Sequence, residues 1–158
     1  MNMHQNWTVL CLLALIPQIG GCATPAKHSK SSPVISHEAD HPAAAIATKM
    51  LGKPYRYGGA SPRGFDCSGL VYYAYHKAGY KVPRTSQQQY RNSLPVKQAQ
   101  MREGDLLFFR IEGKVSHVGV YLGNNMFIHA PSSSKRVTIA SLDSPYWKPR
   151  LTKTGRFF

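Results

Sequence analysis

Residues 117–130 constrain the fold more than any other stretch of this chain. They read His-Val-Gly-Val-Tyr-Leu, then Gly-Asn-Asn, then Met-Phe-Ile-His-Ala. Two β-prone runs around a Gly/Asn turn predict an antiparallel hairpin, with strands over 117–122 and 126–130. A three-residue loop pairs Leu122 with Met126 and sets His129 opposite Gly119. One face then carries His117, Gly119, Tyr121, Phe127 and His129. The other carries Val118, Val120, Leu122, Met126, Ile128 and Ala130, apolar throughout. A slip of one residue would mix the two sets, because side chains alternate along a strand. The apolar pattern therefore selects the register that puts both histidines on one face of neighbouring strands. Either histidine alone reads as a satisfied sheet residue, whereas the two together read as a site.

The elements before the hairpin are mostly helical. Residues 43–51 are alanine-rich and predict a short helix ended by Gly52 and Pro54. Residues 52–66, with four glycines and two prolines, read as a long loop. Residues 67–78 predict a helix, with Cys67, Val71, Ala74 and Ala78 near one stripe, Asp66 as N-cap and Gly79 as stop. Residues 85–92 are polar and suggest a second short helix. Gly104-Asp105 reads as a turn before a strand at 106–110. Weaker strands are expected at 136–140 and 147–152. Helices first and antiparallel strands later give an α+β domain. The 158 residues suffice for one such domain.

Cysteine usage narrows the chemistry. The first 21 residues contain no Lys, Arg, Asp or Glu, and residues 9–16 form an apolar run. That run is too short to span a bilayer, which takes about 20 residues, and fits a secretory signal. Ile19-Gly20-Gly21-Cys22 then resembles the lipobox of bacterial lipoproteins. The resemblance implies cleavage before Cys22, lipid on Cys22, and a mature chain beginning there. The expected parts are a signal over 1–21, a lipidated cysteine and polar tether over 22–42, and a domain over 43–158. A tether of this length averages roughly 25 Å and reaches at most about 70 Å. Cys67 is then the one thiol left in an exported domain. It cannot form an internal disulfide, so it is a buried small hydrophobe or a working thiol.

Cys67 opens its helix, where the partial positive charge favours thiolate and is expected to lower the thiol pKa. A nucleophile needs a base and a group that orients the base. His117 is the candidate base and His129 the candidate orienter. Candidate oxyanion donors are the Cys67 amide and the Tyr55 hydroxyl. Zinc on Cys67, His117 and His129 is disfavoured, because no close ligand pair such as C-x-x-C or H-x-x-x-H occurs. His28, His37, His41 and His76 read as solvated. Tyr72, Tyr73 and Tyr75 read as wrapping the helix.

Lys and Arg outnumber Asp and Glu by 20 to 7, a formal charge of +13. This favours polyanionic partners such as a cell wall or anionic headgroups. With no basic run or recognition-helix pattern, nucleic acid is not expected.

Five motifs in order carry a family resemblance. Pro54-Tyr55-Arg56-Tyr57-Gly58-Gly59 with Gly64-Phe65-Asp66-Cys67-Ser68-Gly69-Leu70-Val71 resembles the nucleophile region of the NlpC family of cell-wall cysteine peptidases. Pro83-Arg84-Thr85-Ser86-Gln87-Gln88 and Gly104-Asp105-Leu106-Leu107-Phe108-Phe109 resemble the segments that follow. His117-Val118-Gly119-Val120-Tyr121-Leu122-Gly123 and Phe127-Ile128-His129-Ala130 match the histidine strands. The likeness extends to Leu142-Asp143-Ser144-Pro145-Tyr146-Trp147 in the small lipoprotein members.

The resemblance implies a papain-like core, with the nucleophile helix packed on an antiparallel sheet of about five strands. It implies Cys67 as nucleophile, His117 as base and His129 as orienter. Tyr55 would lie near the oxyanion, and Asp66, Ser68, Arg84 and Ser86 would shape the substrate cleft. No cofactor or metal is implied. The substrates would be peptidoglycan stem peptides, cut at D-Ala–diaminopimelate or D-Glu–diaminopimelate bonds. Ala23 after the lipid-bearing cysteine resembles outer-membrane sorting, giving a monomer anchored by lipid and facing the periplasm. The competing readings are a wall-binding lipoprotein without turnover, and acyl transfer on the same core.

Overall fold

The computed structural model describes residues 41–158. The apolar run, Cys22, His28, His37 and the tether up to residue 40 lie outside the described residues. His41, expected in the tether, is the first of the described residues. That residue is no solvated tether histidine: it is buried. Its ring accepts from the Ala43 amide as N-cap of helix α1 (Pro42–Thr48). It also packs against Tyr75, Tyr80 and Phe158. Pro42 stands at the first helical position, where its missing N–H costs nothing. Ala43, Ala44 and Ala47 are fully buried, and their small side chains let α1 lie close against the next helix.

The glycine-rich loop contains a two-residue ladder, β1 (Ala60–Ser61) with β2 (Gly64–Phe65). Helix α2 (Cys67–Lys77) follows, capped by Asp66, whose carboxylate accepts the Gly69 amide at 2.6 Å. Such caps contribute about 1 kcal/mol. Gly79, at φ 87°, closes its far end. Helix α3 (Ser86–Asn92) is capped by Thr85.

The remaining strands are β3 (Leu94–Val96), β4 (Leu106–Ile111), β5 (Lys114–Tyr121), β6 (Met126–His129), β7 (Thr138–Ser141) and β8 (Leu151–Arg156). They form one six-stranded sheet in the order β3-β8-β4-β5-β6-β7, with every pair antiparallel. The expected α+β, papain-like arrangement is present with one strand more than anticipated. The extra strand, β3, has only three residues and contains Pro95, and it lies at an edge, where a missing N–H is tolerated. No strand runs over 147–152, contrary to the sequence expectation. A short 3₁₀ turn, Lys148–Arg150, occupies most of that range and β8 starts only at Leu151. Pro149 sits inside the turn and cannot donate to a ladder.

The hairpin has the expected register, Val120 opposite Ile128 and Tyr121 opposite Phe127. Gly123, Asn124 and Asn125 all adopt positive φ, residue types that tolerate the left-handed region. Val118, Val120, Ile128 and Ala130 face the helices and pack with Leu70, Val71, Ala74 and Phe65. The opposite face carries a second cluster of Leu107, Phe109, Tyr121, Phe127 and Leu142, with Trp147 and Leu151 packed on it.

Away from the histidines, the carboxylate of Asp105 is fully buried and takes two hydrogen bonds from Arg156, each 2.7 Å. It also accepts the Arg102 amide at 2.8 Å. The Tyr75 hydroxyl donates to the Gly104 carbonyl, so the turn before β4 is tied to both α2 and β8.

Candidate active site

β5 pairs with β4 along its length, but with β6 only at Val120 and Tyr121. Its first half therefore keeps a backbone edge that β6 does not occupy. The tip of α2 comes to that edge. The Cys67 thiol points at the Ser116 carbonyl, with sulfur 3.8 Å from the oxygen, and the Val118 N–H reaches the sulfur. The sulfur thus lies against the backbone on both sides of His117.

His117 is buried, with its Nε2 2.8 Å from Nδ1 of His129. The rings stand nearly perpendicular, at 84°. Both project from the face that hairpin register predicted. Gly119 lies between His117 and Tyr121 on that face. A Cβ there would press on the Phe127 ring and the Ile128 carbonyl, so the glycine is what lets Phe127 close beneath the pair.

Trp147 covers the histidines from the turn before β8. Its ring stacks on His117 at 5.2 Å and 25°, and meets His129 edge-on at 4.9 Å and 89°. Phe109 and Phe127 complete the wall. Charge is disfavoured in such surroundings. Burial pulls His117 down to about 4. Burial, and then the neighbouring His117, pull His129 down to about 3. Both rings are neutral at neutral pH.

The thiol differs from expectation. Burial raises the Cys67 pKa and the Asp66 carboxylate raises it further. The amides of Val118, Ser68 and Cys67 itself oppose them without winning. A helix start does favour thiolate, but here the capping carboxylate offsets its partial positive charge. Cys67 rests as a neutral thiol.

A cleft of about 490 Å³ opens beside the sulfur, lined by Tyr55, Tyr57, Asp66, Ser68, Arg84 and Ser86 among others. Asp66 organises it. Arg84 binds both its oxygens, at 3.0 and 2.8 Å, and also donates to Ser68 Oγ and the Gly59 carbonyl. The Gly58 amide donates to Asp66 at 2.9 Å. Gly69 has no side chain because a Cβ there would run into the Gly59 carbonyl. The motif glycines thus fold the loop onto the first turn of α2. Hydrogen bonding to Asp66 raises the Arg84 pKa above its ordinary value and keeps it charged. Burial, then Cys67, Asp66 and Tyr57, raise the Tyr55 pKa, so its hydroxyl stays a donor.

Residues 52–156 match the NlpC/P60 family model. The chain belongs to the NlpC/P60 family.

Among its relatives is murein DD-endopeptidase MepH of Escherichia coli K12, 47% identical over 106 residues, covering 63% of this chain and 39% of MepH. Murein DD-endopeptidase MepS/murein LD-carboxypeptidase of the same strain is 41% identical over 106 residues, covering 66% and 56%. The crystal structure of an NlpC/P60 family protein from Bacillus cereus ATCC 10987 superposes with a TM-score of 0.68 at 35% identity. That alignment covers 74% of this chain and 41% of the other. The chain thus spans from about two fifths to just over half the length of these two curated relatives.

Every NlpC-type site residue named from the sequence within 41–158 lies at this one locality. Cys67, Tyr55, Asp66, Ser68, Arg84 and Ser86 line the cleft, and His117 and His129 stand behind the Ser116–Val118 edge. Three contributors escaped sequence reading. Trp147 was assigned to a strand. The Ser116 carbonyl is backbone and leaves no sequence signal. Gln89, fully buried, donates to the Ser68 and Pro83 carbonyls and ties α3 to the cleft. A buried glutamine in a polar helix stands out only once the fold is known. Among the described residues no group of three or more His, Cys, Asp or Glu could hold a metal ion.

Proposed function

We propose that this protein is a cysteine-type peptidoglycan hydrolase that cuts stem-peptide or cross-link amide bonds. The observation that carries the reading is the Cys67 sulfur lying at an open cleft against the Ser116 carbonyl, with the next residue of that strand, His117, hydrogen-bonded to His129. The naming of MepH and MepS as murein endopeptidases supports the substrate class.

For His117 to act as base, Nε2 carries the proton donated to His129 Nδ1, and Nδ1 keeps a free lone pair. That nitrogen takes the thiol proton as sulfur attacks the amide carbon. Thiol and imidazole both rest neutral, so the proton passes from sulfur to His117 in the course of the reaction. The oxyanion is held by the Cys67 amide and the Tyr55 hydroxyl. His117 then protonates the leaving amine, and water, deprotonated by His117, releases the acyl group from sulfur. Asp66 and Arg84 fix the cleft wall, with Ser68 and Ser86 beside them.

The same proposal includes lipid on Cys22 and an outer-membrane anchor facing the periplasm, supported by the Ile19-Gly20-Gly21-Cys22 motif. Labelled palmitate should enter the protein and should be lost in Cys22→Ala.

Mass spectrometry of purified peptidoglycan after digestion tests the hydrolase. New stem-peptide ends at a D-Ala–diaminopimelate or D-Glu–diaminopimelate bond are expected. An unchanged muropeptide profile would rule the activity out.

A further inference from the structure

Trp147 lies 30 residues beyond the histidine it stacks on and sits in a rigid frame. The Lys148 amide donates to the Ser144 carbonyl at 2.9 Å, and the Arg150 and Leu151 amides return to the Trp147 carbonyl. Arg150 stacks on Tyr146 at 4.1 Å and donates to its carbonyl. Tyr146 in turn meets Trp147 edge-on. Phe109 and Phe127 pack against the indole at 4.8 and 5.5 Å. The indole is therefore held from its own turn and from the sheet.

It touches both imidazoles differently, flat against His117 and edge-on to His129. An imidazole pair joined by one hydrogen bond can still rotate about its side-chain torsions and exchange tautomers. A flat contact on one ring and a perpendicular contact on the other remove those rotations together. The same ring closes the pair on the side opposite the helices. Burial acts on both rings and His117 also acts on His129; Tyr121 shares their face of the sheet, and the tip of α2 brings Cys67 to the strand beside His117.

We propose that Trp147 is a positioning residue. Its indole locks His117 and His129 in the single orientation and tautomer that present the free nitrogen of His117 to Cys67, and keeps water from the pair. This rests on the catalytic reading of Cys67, His117 and His129, but its structural part can be read without substrate.

The experiment is a pH titration of the histidine side chains by nuclear magnetic resonance in the intact protein, comparing wild type, Trp147→Ala and Trp147→Phe. Wild type should show one fixed tautomer for each ring and neutral rings at pH 6. Trp147→Ala should show tautomer exchange and an apparent pKa raised by roughly one unit as water enters. Trp147→Phe, which keeps a flat ring, should restore most of the wild-type pattern. On a defined stem peptide, Trp147→Ala should lower kcat roughly 10–100-fold, with KM changed by less than about twofold.

Unaltered tautomers and pKa values in folded Trp147→Ala would overturn the proposal. So would a loss of activity that merely follows the folded fraction, with Phe no better than Ala. A wild type that hydrolyses nothing would sink the peptidase reading alone, and the titration would still decide the role of Trp147.

Discussion

The two faces of the sheet bury side chains to opposite ends. Toward the helices, Val118, Val120, Ile128 and Ala130 meet Leu70, Val71 and Ala74, a contact of mostly aliphatic groups. On the other face, Phe109, Phe127 and Trp147 surround two histidines. The aliphatic face fixes α2, and so the sulfur, at a set height against β5. The aromatic face keeps two polar rings dry and neutral while leaving them one hydrogen bond to each other. Alternation along the single hairpin assigns residues to each task. The difference teaches that the packing that holds the fold and the rings proposed to react occupy separate strand positions.

The sharpest way to break that separation is His117→Ala. Turnover should fall by at least about 10³-fold. The stability cost should be about 1–3 kcal/mol for leaving His129 without its hydrogen-bond partner, with the gap left beneath Trp147 adding to it. Denaturant melts beside peptidoglycan assays give both numbers, and unfolding in place of inactivation would merge the two faces. Leu70→Ala on the aliphatic face should do the reverse. It should cost about 2–5 kcal/mol, yet preserve the rate per folded molecule at temperatures where the variant is folded. Tyr55→Phe should lower kcat by roughly 10²-fold, the loss of one oxyanion donor, with melting unchanged. A full wild-type rate would remove Tyr55 from that role.

Acid stability tests the same aromatic face. In the unfolded chain a histidine binds its proton near 6.5. In the folded protein His117 waits until about 4 and His129 until about 3. Between those values the unfolded state holds more protons, so stability is full above 6.5 and falls as pH drops through that window. His41, lowered chiefly by burial, adds to the same loss. Urea midpoints from pH 7 to pH 3.5 should fall less steeply in a His117→Phe/His129→Leu double variant. An equal slope would place the lost protons elsewhere.

Much of this was legible in the chain. The hairpin register follows from six apolar residues on one face, and the N-cap of α2 follows from Asp66 preceding an apolar stripe. These are local patterns whose competing arrangements cost burial. Less legible were features made by distant packing. β3 is short and carries Pro95, so it has no period to read. The strand expected at 147–152 was displaced because Pro149 and the Ser144 bonds favour a turn. His41 looked like tether because its polar neighbours in sequence say nothing of the Tyr75, Tyr80 and Phe158 rings that bury it. The thiol shift was missed for a related reason. A helix start suggests thiolate, but the cap that makes the helix start is itself an anion, and only the structure shows how the thiol is packed against β5.

The most direct measurement is hydrolysis of purified peptidoglycan by Cys67→Ala, compared with wild type at equal folded concentration. The thiol mechanism predicts muropeptide release at background, with circular dichroism and melting temperature unchanged. Release at the wild-type rate by the folded variant would contradict it.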